Sequence, residues 1–268
     1  MEKAKLLHET AEIALTEIKR YFEPRLMEAL SLRRVTAPLY LPVGSPLLDK
    51  RHPGAQIYLP GSRREVEIVG SLNVWLRGQL RRYDIAPGFG VFTIMNALRP
   101  EFPDNSTSSP HIAAWAWQQA VDRQELTEKY IVETAKKVHQ LVSATEKMVL
   151  TLFPHMSATI DKELRVVNEK QLAELYPDLN EERRLYEHMH PDNRDNDTDV
   201  PPVLLLIREC DDLKALGELW TWNRLLRRPV MIADIAAWDA DHVAGPSVGG
   251  NIYRGMLALQ ILQQDKLI

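Results

Sequence analysis

The 268-residue chain predicts an α+β fold built on a mostly antiparallel sheet. Strand-like runs gather in the middle and the last third, with helices placed around them instead of alternating one for one as in a doubly wound sheet. Neither GxxxxGK[ST] nor GxGxxG occurs, so no P-loop or Rossmann fingerprint supports the doubly wound alternative. The length suffices for one large core, and a single domain over 1–268 is expected, with N-terminal helices in 1–32 packed on it.

Leu7, Ala11, Ala14, Leu15, Ile18 and Phe22 recur at helical spacing, which predicts an amphipathic first helix ended or bent by Pro24 and a short second one through Leu26, Met27 and Leu30. RRVTAPLYLPVG follows as an edge or interface strand holding Pro38 and Pro42. EVEIVG alternates as a strand, and Ser71 is placed to cap a helix carrying Leu72, Trp75, Leu76 and Leu80. GVFTIMNAL and HIAAWAW read as two strands joined by a polar loop that Arg99 opens. Apolar spacing from Gln124 to Phe153 predicts a long helix closed by Pro154; LRVVN is a strand and Asn168 the cap of the next helix. YEHMHPDNRDNDTDVP lacks apolar periodicity and is expected to be a surface loop, with His188 and His190 too poorly spaced for a metal pair. PPVLLLIREC and ELWTWNRLLRRPVMIADI supply further strands, and Gly249-Gly250 is expected to open a terminal helix.

Apolar residues make up 45% and charged residues 26%, as in an ordinary globular protein. The formal charge of −4 argues against a nucleic-acid partner, and the Arg77, Arg81, Arg82 patch reads as a solvated helix face. One cysteine, Cys210, excludes an intrachain disulfide and fits a reducing cytoplasm. The charged N-terminus lacks a signal-peptide core, and no apolar run approaches the ~18 residues of a membrane span.

Arg99, Arg254 and the Gly249-Gly250 pair point to an anionic ligand, because a guanidinium fork and a helix N-terminus both suit phosphate or carboxylate. Glu101, Asp211, Asp212 and Glu218 are candidate carboxylates for a magnesium–phosphate site. No nucleophile-elbow pattern is present.

In their order, YFEPRLMEALSLRRVTAPLYLPVG, EVEIVGSLNVWLRGQL, GVFTIMNALRPE, SSPHIAAWAW, ELYPDL, WTWN and VGGNIYR resemble the ammonia-dependent asparagine synthetases of the AsnA type, over roughly residues 15–265. That resemblance implies the sheet of the class II aminoacyl-tRNA synthetases, ATP and Mg²⁺ as cofactors, a homodimer built around Pro38, and small-molecule partners: a carboxylate and ammonia or another amine. It implies that Arg99 and Arg254 act on the phosphates, that Glu101, Gly249 and Gly250 border the nucleotide, and that Glu218 lies near the metal. Asp49, Ser71, Arg208 and Asp211 fall at positions of the amino-acid pocket. The departures are Leu76 for a lysine, Ala114 and Ala116 for a glutamine and an aspartate, and Met231 and Asp234 for a glutamate and a serine. Without a gap, the third-motif arginine would fall at Met256 instead of Arg254. Two expectations follow: a ligase that adenylates an acid other than ordinary aspartate, with Ala114 and Ala116 widening the pocket and Asp234 beside it, or a non-catalytic paralogue that binds ligands as a regulator or partner subunit.

Overall fold

A computed structural model describes residues 2–103, 109–193, 203–210 and 213–262. The chain opens with α1 (Glu2–Ala29), β1 (Leu32–Arg34), β2 (Tyr40–Pro42), β3 (Ala55–Leu59), β4 (Arg64–Ile68) and α2 (Asn73–Arg82). β5 (Gly90–Leu98), β6 (His111–Ala120) and α3 (Glu128–Leu152) form the centre. β7 (Leu164–Asn168), α4 (Glu169–Leu175), α5 (Glu181–Met189), β8 (Val203–Arg208), β9 (Ala215–Asn223), β10 (Arg228–Trp238), β11 (Ser247–Tyr253) and α6 (Arg254–Ile261) complete it.

Eight strands make the main sheet in the order β1-β5-β6-β11-β10-β9-β8-β7. Its interior is antiparallel, and parallel pairs, β1 with β5 and β7 with β8, occur only at its ends. A three-stranded sheet, β2-β4-β3, stands beside it. The expected α+β class is therefore the observed one.

One face of the main sheet carries the largest core, where Phe22 of α1 stacks on Trp115 of β6 at 4.4 Å between ring centroids. Ala135, Val138 and Val142 of α3, with Leu257 and Ile261 of α6, join that core. The opposite face is covered by α2 through Leu72, Trp75, Leu76 and Leu80.

Several local expectations change. Pro24 lies inside one continuous helix, because Phe22, Leu26 and Leu30 carry the same buried stripe past it and their burial offsets the ~3 kcal/mol that an interior proline costs. The RRVTAPLYLPVG run splits into β1 and β2 on either side of Pro38, which cannot donate to a ladder, while Pro42 ends β2; both strands lie at sheet edges, as expected of a run with two prolines. Ser71 does not cap α2; Leu72 occupies that position, and the Ser71 hydroxyl accepts from the Asn73 N–H at 3.2 Å. YEHM belongs to α5, a helix that Asn180 caps by accepting from the Arg183 N–H at 2.9 Å.

Gly249 and Gly250 sit within β11, not ahead of a helix. A Cβ on Gly249 would fall 2.2 Å from Gln118 Cδ, and one on Gly250 2.0 Å from the Asp234 carbonyl oxygen, so close packing between strands explains both glycines.

Candidate active site

Strand register gathers the candidate residues. Across the α2-covered face, Thr93, Ala116, Asn251, Asp234, Glu218 and Leu206 stand directly opposite one another in neighbouring strands, and Met95, Ala114 and Tyr253 form the adjacent row. Side chains alternate between the faces of a strand, so each row shares one face.

Arg99 leaves the end of β5 on this face and is only 5% exposed. Its backbone N–H donates to the Pro110 carbonyl at 2.8 Å, and its Nε donates to the Gly70 carbonyl at 2.9 Å, which fixes the guanidinium between the hairpin and the approach to α2. Its guanidinium carbon lies 5.5 Å from the Phe102 ring centroid. Together they wall a cavity of about 230 Å³ bordered by Ile112, Trp220, Met231, Tyr253 and Met256, with Arg228 at its margin.

Asp234 faces this site from β10. Its Oδ1 accepts from the Asn251 N–H at 3.2 Å and from Asn251 Nδ2 at 3.0 Å, and its Oδ2 accepts from the Tyr253 hydroxyl in a very short bond. Burial raises both the Asp234 carboxyl and the Tyr253 phenol, and the neighbouring Arg99 charge partly opposes both shifts. Tyr253 therefore remains a protonated donor across the working pH range.

Other candidates are committed elsewhere. Arg254 donates to Asn96 Oδ1 at 2.9 Å and to the Met95 carbonyl at 3.3 Å; it does not border the Arg99 cavity, whereas Met256 does. The expected pairing of Arg99 with Arg254 is therefore not what the fold brings together, because the short α6 turns Met256 to that side. Burial lowers the Arg254 pKa.

Arg208 Nε donates to Glu218 Oε2 at 2.7 Å, while its Nη1 lies against Glu181 and, at 3.7 Å, Glu169. Burial disfavours the Arg208 charge, but these carboxylates hold its pKa above the ordinary value. Glu218 Oε2 also accepts from Trp220 Nε1 at 3.0 Å. Glu218 is thus an ion-pair partner as placed, and among the described residues no group of three His, Cys, Asp or Glu side chains could hold a metal ion. These residues do not fit a preformed Mg²⁺ site.

Ala114 and Ala116 are fully buried in the apolar layer with Leu72, Leu76 and Met95, so they do not widen an open pocket. Asp49 is 3% exposed, with Oδ1 accepting from the Arg51 N–H at 3.1 Å. Ser71 is buried beside Gly70, the residue that Arg99 holds. Glu101 is exposed next to the hairpin loop, and Asp211 and Asp212 lie outside the described residues. Of the Arg patch, Arg81 and Arg82 are exposed as expected, but Arg77 is not solvated: it is 2% exposed and pairs with Asp241 at 2.7 Å, and its Nε donates to Ser247 Oγ at 3.1 Å. Asn73, Gln118, Asn251 and Tyr253 were not site candidates from the sequence; the available signals were that Gln118 continues the alternation of Ala114 and Ala116 on β6, that Asn251 and Tyr253 alternate on β11, and that Asn73 opens α2.

His52, at the site rim, and His188, in α5, both have pKa values lowered from 6.5, chiefly by burial and secondarily by Arg99 and Arg165 respectively. The unfolded chain binds these protons more readily, so the stability they contribute is complete above pH 6.5 and is lost as pH falls below it. Tm is expected to drop between about pH 7.5 and about pH 5.5, and His188→Gln should lessen that drop. An unchanged pH profile in the variant would remove His188 from this account.

A family model for aspartate-ammonia ligase, AsnA, matches residues 9–192. The aspartate–ammonia ligase of Clostridium perfringens strain 13 is 31% identical over 182 residues, covering 66% of this chain and 54% of that protein. That of Fusobacterium nucleatum is 30% identical over 175 residues, covering 65% and 54%. The chain thus spans about half the length of these curated relatives. Among solved structures, Entamoeba histolytica asparaginyl-tRNA synthetase in complex with asparaginyl-adenylate superposes with a TM-score of 0.69 at 8% identity, over 98% of this chain and 66% of that one. The Pyrococcus horikoshii asparaginyl-tRNA synthetase gives a TM-score of 0.63 at 11% identity, over 99% and 67%. At those identities the likeness establishes the class II synthetase-like fold alone. No described helix is long and apolar enough to cross a membrane. The sheet, the order of its motifs and the match over residues 9–192 together make this chain a member of the aspartate–ammonia ligase family.

Proposed function

We propose that the chain is an ATP-dependent ligase that activates a carboxylate as its acyl-adenylate and transfers the acyl group to ammonia or another amine. A carboxylate oxygen attacks the α-phosphorus and releases pyrophosphate; the amine nitrogen then attacks the acyl carbon, releases AMP and gives up a proton. One observation carries this reading: a buried arginine, anchored at 2.9 Å to the Gly70 carbonyl, is presented with an aromatic ring to an apolar cavity. Arg99 would hold the α-phosphate by charge-assisted bonds, and Phe102, Met231 and Met256 would exclude water from the base. ATP supplies the activating group, and Mg²⁺ is proposed to arrive with its phosphates, because Glu218 is already engaged.

The substrate is proposed to differ from ordinary aspartate, because Leu76 and the two alanines are packed against each other where the resemblance places polar groups. Homodimer formation in a reducing cytoplasm belongs to the same reading. Exposed Leu39, Tyr40 and Tyr58 about the small sheet and the free Cys210 support it. Thermal denaturation with ATP and Mg²⁺ tests the nucleotide half: at 100 times its Kd a ligand adds about 2.7 kcal/mol to the folded state. No shift, with no acid-dependent pyrophosphate exchange, removes the ligase reading.

A further inference from the structure

Four side chains on the α2 side of the sheet keep buried polar atoms without hydrogen-bond partners: Asp49 Oδ2, Asn73 Oδ1, Asn251 Oδ1 and both amide atoms of Gln118. Gln118 is 0%, Asn251 1%, Asp49 3% and Asn73 6% exposed. Buried polar groups are almost always paired, so a cluster of orphans on one face needs a cause.

The four are brought to one place by the fold. Gln118 stands opposite Gly249, two residues along β6 from Ala116, and Ala116 stands opposite Asn251. Helix α2 packs on β11 and the turn before it: the Arg81 guanidinium reaches the His242 carbonyl and Arg77 reaches Ser247, and Asn73 lies one turn before Arg77 on the same helix face. The loop carrying Asp49 packs on α2 and its approach: a Cβ on Gly70 would fall 2.3 Å from the His52 carbonyl oxygen, and one on Gly78 of α2 2.8 Å from Leu47 Cδ2.

Their chemistry is one-sided. Four of the five orphan atoms are acceptors, one from a carboxylate, and the Asp234 carboxylate is hydrogen-bonded to Asn251 beside them. Acceptors in this number suit an ammonium, which offers three donors and no acceptor. A second carboxylate would find no partner here: Leu76 is fully buried and apolar, Arg208 is held by Glu218 and Glu181, and Arg77 by Asp241. Asp234 would repel it.

We propose that Asp49, Asn73, Gln118 and Asn251 bind the ammonium group of a small amino acid with a single carboxylate, an ω-amino acid of the β-alanine type, while Asp234 rejects dicarboxylates. Resting on the ligase reading, this places the substrate carboxylate toward Arg99, which lines one cavity with Tyr253, the residue that shares Asp234 with Asn251.

The test is calorimetric titration of the ATP–Mg²⁺-saturated full chain with β-alanine, aspartate and propionate. β-Alanine is expected to bind about tenfold tighter or better than either other acid, and Gln118→Met to lose about tenfold in β-alanine affinity while its Tm rises. A structural role for Gln118 cannot produce that opposite pair of changes. Aspartate binding as tightly as β-alanine, propionate binding as tightly, or unchanged affinity in Gln118→Met each overturns the proposal. Asn73→Leu gives the same readouts if Gln118→Met fails to fold. ATP binding without β-alanine binding overturns this proposal alone, whereas loss of the ATP response overturns the ligase reading.

Discussion

Glu146→Ala is expected to cost about 3–5 kcal/mol of stability, a large share of the ~5–15 kcal/mol that holds a typical domain together. Glu146 is 3% exposed on α3, and its Oε1 alone accepts from the Thr159 N–H at 2.5 Å, the Thr159 hydroxyl at 2.7 Å and the Ile160 N–H at 3.0 Å. The clamp continues outward: Gln260 Nε2 donates to the Thr159 and Trp222 carbonyls at 3.2 Å each, joining α3, the turn before β7, α6 and β9. Removing the carboxylate strands buried donors at once, and each unsatisfied group costs about 1–3 kcal/mol. Burial raises the Glu146 pKa despite these bonds, so the charge itself is costly and Glu146→Gln, which retains an acceptor, should lose distinctly less. In thermal melts the alanine variant should fall by roughly 10 °C. A loss under about 1 kcal/mol would show that the clamp merely fills space.

How much of this was legible depended on how local the cause was. The stripe Ala14, Ile18, Phe22, Leu26, Leu30 was visible because burial repeats every four residues, though the sequence could not say that it would run through Pro24. The strands from Gly90 to Ala120 were visible as β-rich runs around a polar loop. Helix α5 was not, because only Leu185 and Met189 of its nine residues are buried; Asn180 followed by Glu181 and Glu182 was the overlooked cap. The site depended on register, which no single strand encodes: Asp234 acquires its meaning from standing between Asn251 and Glu218. Arg77 looked solvated because its partners, Asp241 and Ser247, lie more than 160 residues away. Arg99 was visible as an isolated charge at a hairpin, whereas the commitment of Arg254 to Asn96 was not.

Arg99→Ala should abolish the thermal response to ATP, with a loss of affinity on the order of 10²–10³-fold, as expected when a charge-assisted bond to phosphate is removed from a buried site. Two effects must be separated, because Arg99 also donates to the Gly70 carbonyl at 2.9 Å and steadies the chain leading to Ser71 and α2. Arg99→Lys keeps a positive charge but loses the planar fork, so it cannot both hold Gly70 through Nε and offer two parallel donors to a phosphate. If Arg99 grips phosphate, the lysine variant should recover much of the wild-type Tm while remaining at least about tenfold weaker for ATP. If Arg99 is only a structural strut, ATP affinity should follow Tm in both variants. Asp234→Asn adds a sign: the Asp234 charge partly neutralises the site, so its removal should tighten nucleotide binding if phosphate lies at Arg99, and leave it unchanged if phosphate lies elsewhere. Arg99 and Asp234 thus move ATP affinity in opposite directions only when the anion sits on the face that carries both.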